Sequence, residues 1–385
     1  MIAIASNGFG ETYVALGIAR ELVKRGFKPL LFPLIGNVKG VSEGIELCFV
    51  PGETKFGGFA FWSLSNFVRT ILSPFDSKNE ISNFLNFVKQ LKKNGSRIEK
   101  ILVVGDPFLL FVVRKSLSKG TKVAFLSLFK SEMTEKHFWF EKEFIKRNVD
   151  VLITRDEYTA EVFRKLGVNT IFFGNPMVSS IEIKGIDLRE NKELKTLLLL
   201  PGSREYYSYG VLVKMLYVVE AIVEKYGFIN VLCALSDTID KERLKESVIK
   251  HGWEVIDRDD KLFWLSKGLI RVLCGYGLFG DKLNVSDVVL SVGGTATEQA
   301  SGLGKPSVMF YDSSTGISVN WFRRQEKMLG ESVKIFYKFS VDEISNEIIH
   351  LFMDESERRR RGEIGRKLMY DNNSAQKIAE LLISI

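Results

Sequence analysis

Two doubly wound α/β sheets are what this sequence predicts, and three observations predict them. Short continuous apolar runs alternate with amphipathic helical patterns, the rhythm restarts after Asn191, and glycine turns stand where strands give way to helices. With 385 residues, 45% hydrophobic and 26% charged, the chain has material for two domains, each able to bury its own core.

In the first half, strands are expected at Ile2 to Ala5, Pro29 to Pro33, Lys100 to Gly105, Lys122 to Ser127, Val149 to Thr154 and Thr170 to Phe173. Such runs suit parallel strands covered on both faces. The helix after the first strand carries Val14, Ile18, Ala19 and Leu22 on one stripe. In the second half, strands are expected at Thr196 to Leu200, Asn230 to Leu235, Trp253 to Ile256, Arg271 to Cys274, Asp287 to Val292, Ser307 to Tyr311 and Val333 to Phe336. The expected division is an N-terminal domain over 1–178, a linker over 179–194 and a C-terminal domain over 195–366. A closing segment, 367–385, is expected to cross back to the first domain as a helix. Open α/β sheets bind ligands outside the carboxyl ends of their strands, so two such domains are expected to face each other across a cleft.

Composition excludes several classes. The start, Met1-Ile-Ala-Ile-Ala5, enters a strand without the basic and long apolar regions of a secretory signal. No run of about 18 uninterrupted apolar residues suggests a membrane span. Cys48, Cys233 and Cys274 stand singly in apolar runs, which points to reduced thiols in a cytoplasm, without disulfide or structural zinc. The net charge of +7 is spread among acidic residues, which favours an anionic lipid surface over nucleic acid as a partner. The run Arg358 to Arg361, interleaved with glutamates, reads as a solvated helical face.

The stretch Ser291 to Ser307 is the most informative. A strand ends in Gly293 and Gly294, and free N–H groups near Thr295, Ala296 and Thr297 begin a helix, a site suited to a phosphate and hence to a diphosphate-bearing ligand. Glu298 and Gln299 follow in its first turns, where a carboxylate also suits the helix dipole. A second glycine turn, Leu198-Leu-Leu-Pro-Gly-Ser-Arg204, ends the strand that opens the second half. There Gly202 and Ser203 give a small turn and Arg204 offers a forked cation for a diphosphate, or a partner for Glu205. A third, Asn7-Gly-Phe-Gly-Glu11, lacks the last glycine of a dinucleotide fingerprint, because position 13 is Tyr. Asp106, between Gly105 and Pro107, is either a strand-end base or the cap of the helix that follows.

Taken in order, Ser6-Asn-Gly-Phe-Gly-Glu11, Phe173-Gly-Asn-Pro-Met177, Leu199-Leu-Pro-Gly-Ser-Arg204 and Gly293-Gly-Thr-Ala-Thr-Glu298 resemble lipid-A-disaccharide synthase and its distant relatives over nearly the whole chain. The resemblance implies a GT-B fold, with two Rossmann-like domains facing across a cleft, and inverting transfer of an N-acetylglucosamine-type sugar from UDP to a lipid-linked acceptor. It implies acceptor contacts from Asn7, Gly8, Phe9 and Gly10, and donor contacts from Gly202, Ser203, Arg204, Gly293, Gly294, Thr295, Ala296, Glu298, Gln299 and Asn175. Glu298 would face the ribose hydroxyls, and the family's catalytic carboxylate maps onto Asp106 with Glu11 as rival base. Asn7, Phe9 and Glu11 replace the family's small Ser-Gly-Asp type turn, which leaves the acceptor lipid open.

Direct displacement at an anomeric carbon needs a base for the acceptor hydroxyl and charge stabilisation for the departing UDP. The helix start and Arg204 offer the second without a metal, and Asp257-Arg-Asp-Asp260 reads as a charged connection rather than a metal site. No cofactor is expected. His137, His251 and His350 stand outside the glycine turns and are set aside, His137 as decoration on a helix. The aromatic segments Lys55 to Phe75 and Lys136 to Lys146 read either as helices packed on the sheet or as surfaces for a membrane interface. A cytoplasmic protein, peripheral on the inner face of the cytoplasmic membrane, is the expectation. A binding protein of the same fold that has lost the base, and a UDP-sugar 2-epimerase, are the alternatives.

Overall fold

The computed structural model describes residues 1–36, 38, 41–52, 74–133 and 136–385. The aromatic segment Lys55 to Phe75 lies outside them but for the helix that starts at Pro74. The chain divides into two units, Met1–Ser180 with Asp371–Ile385, and Ile181–Tyr370.

Among the described residues, the first unit holds a sheet of seven strands: β1 (Ile2–Asn7), β2 (Leu30–Ile35), β3 (Glu46–Leu47), β4 (Lys100–Gly105), β5 (Lys122–Ser127), β6 (Val151–Thr154) and β7 (Thr170–Ile171), in the order β3-β2-β1-β4-β5-β6-β7. Every pairing is parallel. Successive side chains face opposite ways, which is why the apolar runs are continuous: Ala3, Ala5, Ile101 and Val103 enter one core, Ile2, Ile4, Leu102 and Val104 the other. The helix Phe9–Lys24 covers the second face with Val14, Ile18 and Leu22, joined by Ala375, Ile378, Ala379 and Leu382 of the closing helix Ser374–Ser384.

The second unit holds β8 (Thr196–Leu200), β9 (Asn230–Leu235), β10 (Glu254–Asp257), β11 (Leu262–Lys267), β12 (Ile270–Tyr276), β13 (Val288–Ser291), β14 (Ser307–Phe310) and β15 (Val333–Phe336), in the order β10-β11-β12-β9-β8-β13-β14-β15. Its edge departs from the all-parallel expectation, because β10, β11 and β12 run antiparallel. A turn of Gly268 and Leu269, with Gly268 at φ 60°, joins β11 to β12, and so short a connection can only reverse the chain. The Asp257–Asp260 stretch runs from the end of β10 into the other turn of this meander, where the Asp259 carboxylate accepts the amides of Lys261 and Leu262 at 2.9 Å each. Of the linker expected over 179–194, residues 181–194 lie in this unit, and the amides of Lys184 and Ile186 donate to Asp281 at 2.9 Å. The helix Glu205–Tyr226 has the length and apolar content of a membrane span, yet Val211, Leu212, Met215, Val218, Val219 and Ile222 bury it in the core.

Candidate functional site

Each sheet has one point where the strand order reverses. In the first unit it lies between β1 and β4, whose following helices lead to β2 on one side and β5 on the other. In the second it lies between β8 and β13. Crevices form at the carboxyl ends of the strands at such points, and the three glycine turns picked out by sequence, together with Asp106, lie there.

In the first unit, Asn7 ends β1 and Gly105 ends β4. Asn7 Nδ2 donates to Asp106 Oδ2 at 2.6 Å, and Asp106 Oδ1 accepts the Leu109 amide at 2.9 Å. Asp106 therefore does cap the helix Pro107–Ser116, with one oxygen, while the other is held by Asn7. Burial pushes its carboxyl up to about 6, against the pull of the Leu109 amide and Asn7. Gly105 permits this approach: at φ 153°, a Cβ on it would overlap Asn7 Oδ1.

The other acceptor-side candidates take simpler places. Gly8 is the N-cap of the helix Phe9–Lys24, and the Glu11 carboxylate lies against it. Phe9 packs on the buried core and Gly10 continues the first turn.

Sequence reasoning missed the group beside them. Ser127 ends β5, in register with Gly105. Its hydroxyl lies 3.1 Å from His137 Nε2, whose Nδ1 lies 2.9 Å from Glu132 Oε1. Glu132 also accepts from Lys142 at 2.7 Å, and Lys130 donates to both oxygens of Glu141 at 2.8 and 2.7 Å. His137 is thus no surface decoration: it is buried, and burial pulls its imidazole below the ordinary value although Glu132 opposes this. Alternating charge about a histidine is the only trace such a cluster leaves in sequence. The negative charge of Glu141 adds to the rise at Asp106.

In the second unit, β8 leads into Gly202, at φ 102°, where a Cβ would meet the Tyr207 ring at 2.5 Å. The Ser203 carbonyl accepts the Thr238 hydroxyl at 2.6 Å, and Arg204 stands exposed at the N-cap of the helix Glu205–Tyr226. Glu205, the local rival for Arg204, accepts from Arg243 at 2.7 Å and from the Tyr209 hydroxyl at 3.0 Å. On the neighbouring strand, β13 ends at Ser291, whose hydroxyl accepts the Gly293 amide at 3.1 Å and the Thr297 hydroxyl at 2.9 Å. The helix Gly294–Gly302 begins with no side chain capping it, so its first amides, around Thr295 and Ala296, are presented as donors. Gly294 is closed in by Trp321, which a Cβ would meet at 2.5 Å. Glu298 and Gln299 are buried, and Gln325 Nε2 donates to Glu298 at 3.4 Å.

Asn175 is the one donor candidate that the second unit does not contain. It belongs to the first unit, where its side chain accepts the Met177 amide at 3.1 Å and caps the short helix Pro176–Ser179.

No protein-family model matches the chain. The lipid-A-disaccharide synthase of Myxococcus xanthus strain DK1622 is 24% identical over 320 residues, covering 81% of this chain and 74% of its own length. That of Syntrophus aciditrophicus strain SB is 22% identical over 297 residues, 73% and 71% of the two chains. Among solved structures, the calicheamicin glycosyltransferase CalG4 superposes with a TM-score of 0.59 at 14% identity, over 100% of this chain and 98% of that one. The UDP-GlcNAc 2-epimerase of Neisseria meningitidis bound to UDP-GlcNAc gives 0.54 at 13% identity, over 100% of both chains. The chain has the GT-B fold and bears a distant, family-level resemblance to the lipid-A-disaccharide synthases.

Proposed function

We propose that the protein is an inverting glycosyltransferase that moves an N-acetylglucosamine-type sugar from UDP to a lipid-linked acceptor. One observation carries the reading: the Gly202–Arg204 turn and the Gly294 helix start follow adjacent strands at the reversal of the second sheet. Backbone donors and a guanidinium at one strand end suit a diphosphate that gains charge as it leaves. The names of the relatives supply the sugar and the lipid.

In this reading Asp106 takes the proton of the acceptor hydroxyl. The freed oxygen attacks the anomeric carbon from the face opposite the diphosphate, the anomeric C–O bond breaks, and UDP departs with the electron pair. One displacement inverts the configuration. The amides near Thr295 and Arg204 meet the developing charge without a metal, and Glu298 accepts from the ribose hydroxyls.

The acceptor's lipid nature is supported by the loop and helix that follow β5. Phe129, Met133, Phe138, Trp139 and Phe140 are all exposed, Trp139 at 81%, and Lys136, Lys146 and Arg147 stand exposed among them. Apolar rings ringed by cations fit an anionic membrane surface, so the protein works as a peripheral protein on the cytoplasmic face.

The deciding experiment measures UDP release from UDP-GlcNAc with and without lipid extract. Acceptor-dependent release supports the transferase. Tight UDP binding without turnover in any extract supports the binder, and conversion of UDP-GlcNAc to its 2-epimer without acceptor supports the epimerase.

A further inference from the structure

Tyr206 is placed and held in a way the fold does not require. It is 62% exposed, while its neighbour Tyr207 is 5% exposed and belongs to the core. Its hydroxyl donates to the Thr315 carbonyl at 2.9 Å, and its ring meets that of Tyr207 edge-on, with centroids 5.1 Å apart. A phenol in water has solvent for its hydrogen bond, so fixing this side chain at both ends costs rotamer freedom without burying it.

The strand order shows what the fixed ring spans. Tyr206 follows β8 and Thr315 follows β14, and β13 lies between those two strands. A side chain reaching from the β8 side to the β14 side passes across the carboxyl end of β13, where Gly293 opens the helix Gly294–Gly302. The space there is open, since a Cβ on Gly293 would meet no heavy atom within 4 Å.

We infer that Tyr206 is a specificity residue for the donor, its ring face supporting the sugar attached to the diphosphate. The inference rests on the donor reading above. Its hydroxyl is already spent on Thr315, so the ring face is what it offers. The sugar is favoured over the nucleobase by connectivity: Tyr206 stands next but one to Arg204, the sugar is bonded directly to the distal phosphate, and the base lies a ribose further away. The C–H face of a pyranose matches an aromatic face, a contact of the size of an aromatic pair.

The test is direct titration of the full chain with UDP-GlcNAc, UDP and inorganic pyrophosphate. Tyr206→Ala should weaken UDP-GlcNAc about three- to tenfold and leave UDP and pyrophosphate within about twofold. Tyr206→Phe, which keeps the ring, should retain most of the UDP-GlcNAc affinity. An unchanged affinity for UDP-GlcNAc in Tyr206→Ala overturns the inference. So does an equal loss on all three ligands, which would mean that the side chain acts by holding the Thr315 loop. A native chain that binds UDP and pyrophosphate yet shows either result loses only this inference, whereas one that binds none of the three loses the donor reading as well.

Discussion

Replacing Asp106 by asparagine probes the proposed base and the electrostatics beneath it in one step. The carboxyl is 6% exposed, and burial lifts it from the ordinary 3.8 to about 6. A carboxyl that holds its proton more tightly in the folded chain contributes its full stability below about 3.8 and loses it as the pH rises through about 6. At about 1.4 kcal/mol for each tenfold in proton affinity, the ionised group costs the native state about 3 kcal/mol at pH 8. Asparagine keeps a side-chain oxygen for the Leu109 amide, its NH2 group is met by the Asn7 oxygen once the Asn7 amide turns over, and it carries no charge to desolvate. Asp106→Asn is therefore expected to match the native chain near pH 4 and to exceed it by about 3 kcal/mol at pH 8. Its turnover should fall by about a hundredfold or more at unchanged UDP affinity. Urea melts of both chains followed by circular dichroism from pH 4 to 8, with acceptor-dependent UDP release alongside, measure this. The native rate should rise with pH and reach half its plateau near pH 6, where the base ionises. A stability difference that does not change with pH, or native turnover in the variant, refutes the reasoning.

Arg204→Ala and Glu298→Ala should each weaken UDP by about tenfold or more in direct titration, through loss of a charge-assisted contact; unchanged affinity in both removes the donor site. Gly105→Ala should cost about 1–3 kcal/mol in the same melts, because the added methyl drives Asn7 off the buried Asp106, and should move the rising limb of the pH–rate profile upward. Trp139→Glu should lower partition onto phosphatidylglycerol vesicles about tenfold or more at native stability, as Trp139 is 81% exposed; equal partition rejects the membrane surface.

Much of this molecule is readable from its periodicity. Continuous apolar runs mark strands buried on both faces, and Leu197 and Leu199 enter one core while Leu198 and Leu200 enter another, as the alternation of side chains requires. At Gly202 both the φ of 102° and the Tyr207 ring beside it demand glycine, which is why that strand-end turn stands out. The two-residue strand β3 is too short to leave a period, and the apolar start of β11 was obscured by the charged turn before it.

Side-chain partnerships were less legible. Asp106 reads from sequence as a cap or a base, and its contact with Asn7 joins residues 99 apart. Whether His137 is solvated or sealed depends on Glu132, Lys142 and Ser127 closing around it, which no local pattern dictates.

The sequence by itself determined which segments become strands and helices, and which turns leave amides and small residues at strand ends, because both follow from local periodicity and backbone sterics. Only the tertiary structure decided which strand ends are neighbours. Lateral order in a sheet is set by packing between segments far apart in the chain, and that order brings Asn7 to Asp106 and Tyr206 to Thr315.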